Sequence, residues 1–312
     1  MNRITTFYIK TFQLLIRIGN KIHPFIADIF NEWKHHLIKR YIVNNYHDII
    51  NKYQNLEYTP TEKIGKNSPI WILWWQGEEQ MPDIIKICYQ NIQQYKNEHP
   101  INLLTKDNFS QYTKSSLWTQ NINKALNEKK ITTTHFSDIL RSYLLYTYGG
   151  IWMDATLLIT RPIDSIIGNS TFYTGRGAGP IRLGSLTQQK WTSFFSATIK
   201  ENPLYKYLYE MFTTHLEKEG KFIDYFLLDY CFILAYELFP FTKKMIDNVV
   251  PISDHKELFE MLHNLNNQYE NTKYIHLIQQ IPFHKLTYKI SLREKTKQGQ
   301  LTYYGFLKKS LY

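Results

Sequence analysis

Residues 136–160 read Phe-Ser-Asp-Ile-Leu-Arg-Ser-Tyr-Leu-Leu-Tyr-Thr-Tyr-Gly-Gly-Ile-Trp-Met-Asp-Ala-Thr-Leu-Leu-Ile-Thr. The stretch opens as a helix. Ile139, Leu140, Tyr143, Leu144, Leu145, Tyr146 and Tyr148 cover most of its circumference, so the helix is expected to be buried. Asp138 and Arg141 sit inside it, three residues apart and hence on one face. Gly149 and Gly150 end the helix, because glycine readily takes the left-handed cap conformation. Ile151-Trp152-Met153 reads as a core strand, with Asp154 where the strand stops and Thr156 two residues on. A buried ion pair is weak evidence for stability, since desolvation opposes the Coulomb gain. Either Asp138 and Arg141 simply neutralise each other, or a ligand is the reason for burying them.

These residues resemble the signature of sugar transferases of the GT-A fold. In that group a Ser-Asp-Ile-Leu-Arg helix leads through Gly-Gly into an Asp-X-Asp metal motif. The branch the chain is most similar to is the bacterial capsular polysaccharide synthesis proteins, akin to family 32 glycosyltransferases and more distantly to the large clostridial glucosylating toxins. The likeness covers roughly residues 68–290. Asp154-Ala155-Thr156 departs from Asp-X-Asp and lacks one carboxylate ligand.

Outward from this stretch, Ile70-Trp71-Ile72-Leu73-Trp74-Trp75-Gln76-Gly77 reads as a buried strand ending at glycine. Pro82 starts a helix carrying Ile84, Ile85, Ile87, Cys88 and Ile92, and Ile101 to Leu104 reads as a second strand. A strand, turn and helix opening an α/β domain commonly form a nucleotide site at the strand's carboxyl end. The resemblance places Trp74 against a nucleotide base, with Trp75 and Gln76 beside it; a core role for either tryptophan competes with this.

Downstream, residues 171–187 hold four glycines with Arg176 and Arg182, which suggests a long loop or a lid over the donor. Residues 191–200 read as strand and helix start, and a very apolar helix spans 222–239. Asp224 at its start is either an N-cap or, by the resemblance, a carboxylate near the donor's anomeric carbon. Phe283-His284-Lys285-Leu286-Thr287-Tyr288-Lys289 matches the closing segment of the similar branch. Neutral imidazole is a common metal ligand, and lysine suits a diphosphate.

The 312 residues suffice for one large α/β domain or two small ones. Hydrophobic content of 43% supports a sizeable core and argues against disorder. Cys88 and Cys231 stand alone in apolar contexts, which suggests a reducing compartment. The net charge of +10 is concentrated at the ends: residues 1–66 carry 10 Lys/Arg against 5 Asp/Glu, and residues 285–312 carry 7 against 1. No zinc-ligand spacing, RNP-like run or repeat points to nucleic acid. An anionic membrane surface is the better partner, and a solvated basic surface is the plain alternative. Residues 4–53 show apolar spacings of three and four, interrupted by lysine and arginine, with Pro24 as a break or kink. They read as an amphipathic helix on a membrane face or packed on the catalytic domain, with no transmembrane span or cleavable signal.

The expectations are these. The fold is α/β, a GT-A-type Rossmann-like nucleotide-sugar-binding domain over 67–290. It has a basic helical extension over 1–66 and a basic tail over 291–312. The resemblance implies transfer of a sugar from a UDP- or GDP-sugar to a glycan or lipid-linked glycan of a capsule or lipopolysaccharide, with retention of configuration. It implies Mn²⁺ or Mg²⁺ held by Asp154, Thr156 and His284, with Asp154 and Asp224 catalytic. Trp74, Trp75, Gln76, Asp138, Arg141 and Lys285 would bind the donor. The location expected is cytoplasmic, peripheral on the inner face of the plasma membrane. The rival function is a non-catalytic glycan- or lipid-binding relative with a degenerate metal site, supported by the missing carboxylate.

Overall fold

The computed structural model describes residues 3–114, 116 and 118–309. The chain opens with helices α1 (Arg3–Ile22), α2 (Pro24–Asn45) and α3 (His47–Gln54). Pro24 does more than kink a single helix. It supplies the first residue of α2, where its missing N–H costs nothing, and the His23 imidazole accepts the Phe25 N–H at 3.2 Å. The turn sends α1 back along α2, so that Phe12 meets Trp33 with ring centroids 6.3 Å apart. Gly19 permits this approach: a Cβ there would lie 2.9 Å from the Ala27 nitrogen. Among the described residues no helix is long and apolar enough to cross a membrane.

The central sheet begins with β1 (Ile70–Leu73), α4 (Asp83–Tyr95) and β2 (Ile101–Leu104). Next come α5 (Gln120–Asn127), α6 (Thr133–Thr147), β3 (Gly150–Met153) and β4 (Leu157–Ile159). Then follow α7 (Ile163–Ile167), β5 (Phe172–Thr174) and β6 (Phe195–Thr198). The strand order is β2-β1-β3-β6-β5. β1 is parallel to both β2 and β3, while β6 runs antiparallel to β3 and β5. β1 leads to β2 on one side and the chain then crosses back over β1 to β3 on the other, and such a switch point leaves a crevice at the strands' carboxyl ends. The architecture is mixed α/β.

Gly149 and Gly150 have φ of +66° and +96°. A Cβ on Gly149 would fall 2.5 Å from the Lys200 nitrogen, and one on Gly150 would overlap the Pro69 carbonyl oxygen. The pair thus serves both conformation and close approach. It turns the chain out of buried α6 into β3, all four residues of which are buried.

The remaining elements are α8 (Pro203–Glu219), α9 (Leu227–Leu238), α10 (Pro240–Asp247), α11 (Glu260–Asn264), α12 (Asn271–Gln280), β7 (Phe283–Lys285) and α13 (Tyr303–Lys308). β7 pairs antiparallel with β4, Leu158 opposite His284 and Leu157 opposite Lys285. The last helix is packed down: Tyr303 and Leu307 are buried, and Lys308 lies 2.8 Å from Asp83 at the start of α4.

Candidate functional site

A cleft of about 470 Å³ opens where β1 and β3 end and β6 begins. The antiparallel entry of β6 brings Ser193 and Phe194 to the same edge as Asp154, whose N–H donates to the Phe194 carbonyl at 2.9 Å. β7, pinned to β4, adds Lys285 and the segment to Lys289. The cleft lining includes Trp74, Trp75, Gln76, Asp138, Arg141, Asp154, Thr156 and Lys285, eight of the ten residues expected from the sequence.

Asp154 is the hub. Its Oδ2 takes the Lys285 ammonium at 2.5 Å, and its Oδ1 accepts the Trp152 indole N–H at 3.0 Å. The Arg141 guanidinium lies 3.6 Å from the same Oδ1 and 3.3 Å from Asp138. It also donates to the Ser193 carbonyl and lies 4.9 Å from the centre of the Trp152 ring. Burial alone would raise the Asp154 pKa, but Lys285 and Arg141 outweigh it and hold the carboxyl below its ordinary range. Asp138 goes the other way. Burial pushes it up to about 7, Arg141 opposes, and Asp229 and Asp154 add to the rise. Two carboxylates that share Arg141 are thus driven in opposite directions, a pattern that separates acid from base roles.

Two expected residues lie outside this cleft. Asp224 precedes α9 rather than starting it; its Oδ1 takes the Phe226 N–H at 3.0 Å, and its Oδ2 lies 3.6 Å from Lys34 of α2. It ties the helical extension to the body. The acid that does reach the cleft is Asp229, in the first turn of α9, which accepts the Trp191 indole N–H at 2.9 Å. Burial raises its pKa, with Trp191 and Arg141 offsetting part of the rise. The only hint in the sequence was a second acid in an otherwise apolar run.

His284 is fully buried. Successive strand residues point to opposite faces, so Lys285 facing the cleft turns His284 away from it. Burial pushes its pKa down to about 4, with the Leu277 and Leu258 backbone acting weakly in the other direction. Neither ring nitrogen makes a hydrogen bond of ordinary geometry among the described residues. The expected pairing of His284 with Asp154 on one ion does not fit this geometry. The Mn²⁺ or Mg²⁺ expectation meets the same difficulty. Among the described residues no three His, Cys, Asp or Glu side chains converge on a common point. Asp154, the one carboxylate at the motif, already faces two cations, and a divalent ion would have to displace them. The donor set suits an anion better than a resident metal.

The loop at 175–190 is pinned. Arg176 donates to the Asp247 and Val249 carbonyls, and Gly177 donates to the Gln189 carbonyl at 2.6 Å. It takes no part in the cleft lining. The rim is aromatic: Tyr225, Phe226 and Tyr288 are about half exposed, and Tyr288 meets Trp74 edge to face at 5.2 Å.

The family described as capsular polysaccharide synthesis protein matches residues 20–307. The O-glycosyltransferase braB of Annulohypoxylon truncatum is 27% identical over 112 residues, 34% of this chain. The match spans only 27% of that relative's length. Among solved structures, the PaToxG Glycosyltransferase aligns over 72% of this chain and 83% of its own, at 17% identity and a TM-score of 0.41.

Proposed function

The chain belongs to the capsular polysaccharide synthesis protein family, and from that premise we propose that it is a glycosyltransferase of GT-A type. It moves a sugar from a nucleoside-diphosphate donor to a growing surface polysaccharide. The observation that carries this reading is the Lys285–Asp154–Arg141 array at the carboxyl ends of β1 and β3. Departure of a nucleoside diphosphate develops negative charge on its oxygens. Fixed cations stabilise that charge without reorganising during the reaction. Asp154 holds both cations in place. Asp138, with its pKa near neutrality, can donate a hydrogen bond from its proton to a donor hydroxyl. Trp74 and Tyr288 offer ring faces for the base. Retention of configuration accompanies this reading on the sequence resemblance alone.

The same reading places the protein on the inner face of a membrane. Leu14, Ile18, Ile22 and Phe25 are exposed on α1 and the start of α2, interleaved with Lys10, Arg17 and Lys21, which suits an anionic lipid surface. Cys88 and Cys231 are buried and unpaired, in keeping with a reducing compartment.

The test is release of free nucleotide from UDP- and GDP-sugars, with and without EDTA. Wild type should release nucleotide from at least one donor, and EDTA should leave the rate nearly unchanged. Absence of both turnover and thermal stabilisation by every nucleotide sugar would overturn the transferase reading. Loss of activity in EDTA would instead restore the metal.

A further inference from the structure

A second cavity, of about 870 Å³, lies beside the edge strand β5. It is framed by the loop after α3, the stretch from Arg161 through Tyr173, and α10 with the segment that follows it. It shares no lining residue with the cleft. Its walls are largely apolar, with Ile166, Ile167, Phe172, Phe241, Met245 and Ile252 contributing. Only two charged residues line it, Arg161 and Lys244, and both are cations. Arg161 is oriented by a 2.8 Å hydrogen bond to the Gln279 carbonyl, and its charge reaches the Tyr173 hydroxyl. No aspartate or glutamate lines the cavity.

Two wall residues carry unmet hydrogen-bonding groups. The hydroxyls of Tyr58 and Tyr173 are buried and have no partner among the described residues. Tyr173 is 4% exposed. These oxygens lie behind the wall rather than on it, so what the cavity presents to a ligand is its apolar side chains and its two cations.

We propose that this cavity is a binding site for a single apolar chain ending in an anion, such as a phosphate monoester. The chain would occupy the aliphatic and aromatic walls. The anion would meet Arg161 and Lys244. Branched aliphatic walls favour a flexible chain over a flat base, and the absence of acids favours an anion over a cation or a neutral sugar. The site is separate from the cleft, so it stands or falls independently of the transferase reading.

The test uses the full chain and calorimetric titration with decyl phosphate below its micellar concentration. Decyl phosphate should saturate at one site, with decanol and inorganic phosphate each binding at least roughly ten-fold more weakly. Decanoate in a parallel titration distinguishes a phosphate head from a carboxylate. The double variant Arg161→Ala, Lys244→Ala should weaken decyl phosphate binding roughly ten-fold or more. Added UDP should leave it unchanged. A diazirine-bearing analogue should label peptides within 161–173 or 241–252 of the unmodified protein. Non-saturable binding, equal affinity in the double variant, competition by UDP or labelling confined to other peptides would each overturn the proposal.

Discussion

The cleft is lined by three aspartates and three cations, whereas the cavity beside β5 is lined by two cations and no acid. In the cleft Lys285 and Arg141 face Asp154, and Asp138 faces Arg141, while the Arg141 Nε and Trp74 Nε1 atoms are buried without a partner among the described residues. Beside β5, two buried hydroxyls have no partner among the described residues. The difference separates two ways of preparing for an anion. One site holds its cations in a fixed array on a carboxylate, the arrangement that the proposed transfer would use as charge appears on its leaving group. The other leaves Arg161 and Lys244 with no acid on its walls.

That contrast is broken most directly at Asp154. Asp154→Asn keeps the size but removes the charge that Lys285 and Arg141 face, and nucleotide release from the preferred donor is expected to fall about 10³-fold in kcat/KM. A near-normal rate would show that the array is only structural. Lys285→Met removes one cation and should cost about 10²-fold, seen mainly in kcat, because the charge it serves develops late. An effect confined to KM would mean that Lys285 merely binds the ground state.

Asp138 sharpens the contrast through pH. Its folded pKa of about 7 lies above the ordinary 3.8. Folding therefore favours the protonated form; that stability is full below pH 3.8 and is lost as the pH rises to about 7. Urea melts of Asp138→Asn should lose this downward slope across that window. An unchanged slope would assign it to another group, Asp229 being the first to examine. The smallest effect is expected at the other site. Tyr173→Phe deletes an unpartnered hydroxyl, so stability should stay level or rise by up to about 1 kcal/mol. A loss greater than that would reveal a partner for the hydroxyl and weaken the comparison.

Much of the cleft edge was legible because its signals are local. Gly149-Gly150 marks a turn that the structure shows only glycine can make, and Ile101–Leu104 is the strand its residues suggest. The strand read over residues 70–77 is shorter, stopping at Leu73, because Trp74 to Gly77 turn outward to line or approach the cleft. The helix read over 222–239 starts only at Leu227, since the Asp224 carboxylate captures the Phe226 N–H and holds a preceding turn. His284 and Asp229 depended on which side of an element faces the cleft. That is set by the pairing of β7 with β4 and the placement of α9, which no local pattern encodes. The cavity beside β5 had no sequence signature at all, because its walls come from four distant segments.

The Gly19 contact with Ala27 has a consequence for how the chain assembles. α1 and α2 close on each other across a one-residue junction, whereas β1 must find β3 far along the chain, Ile70 pairing with Ile151. Closing a short loop is entropically cheap and fast, and non-local parallel pairing is slow. During synthesis the amphipathic hairpin should therefore form while the sheet is still unmade, so that its apolar face is presented before the body that it packs against exists. Pulsed hydrogen exchange during refolding should protect α1 and α2 amides before those of β1 and β3. Simultaneous protection would place the hairpin within the global transition instead.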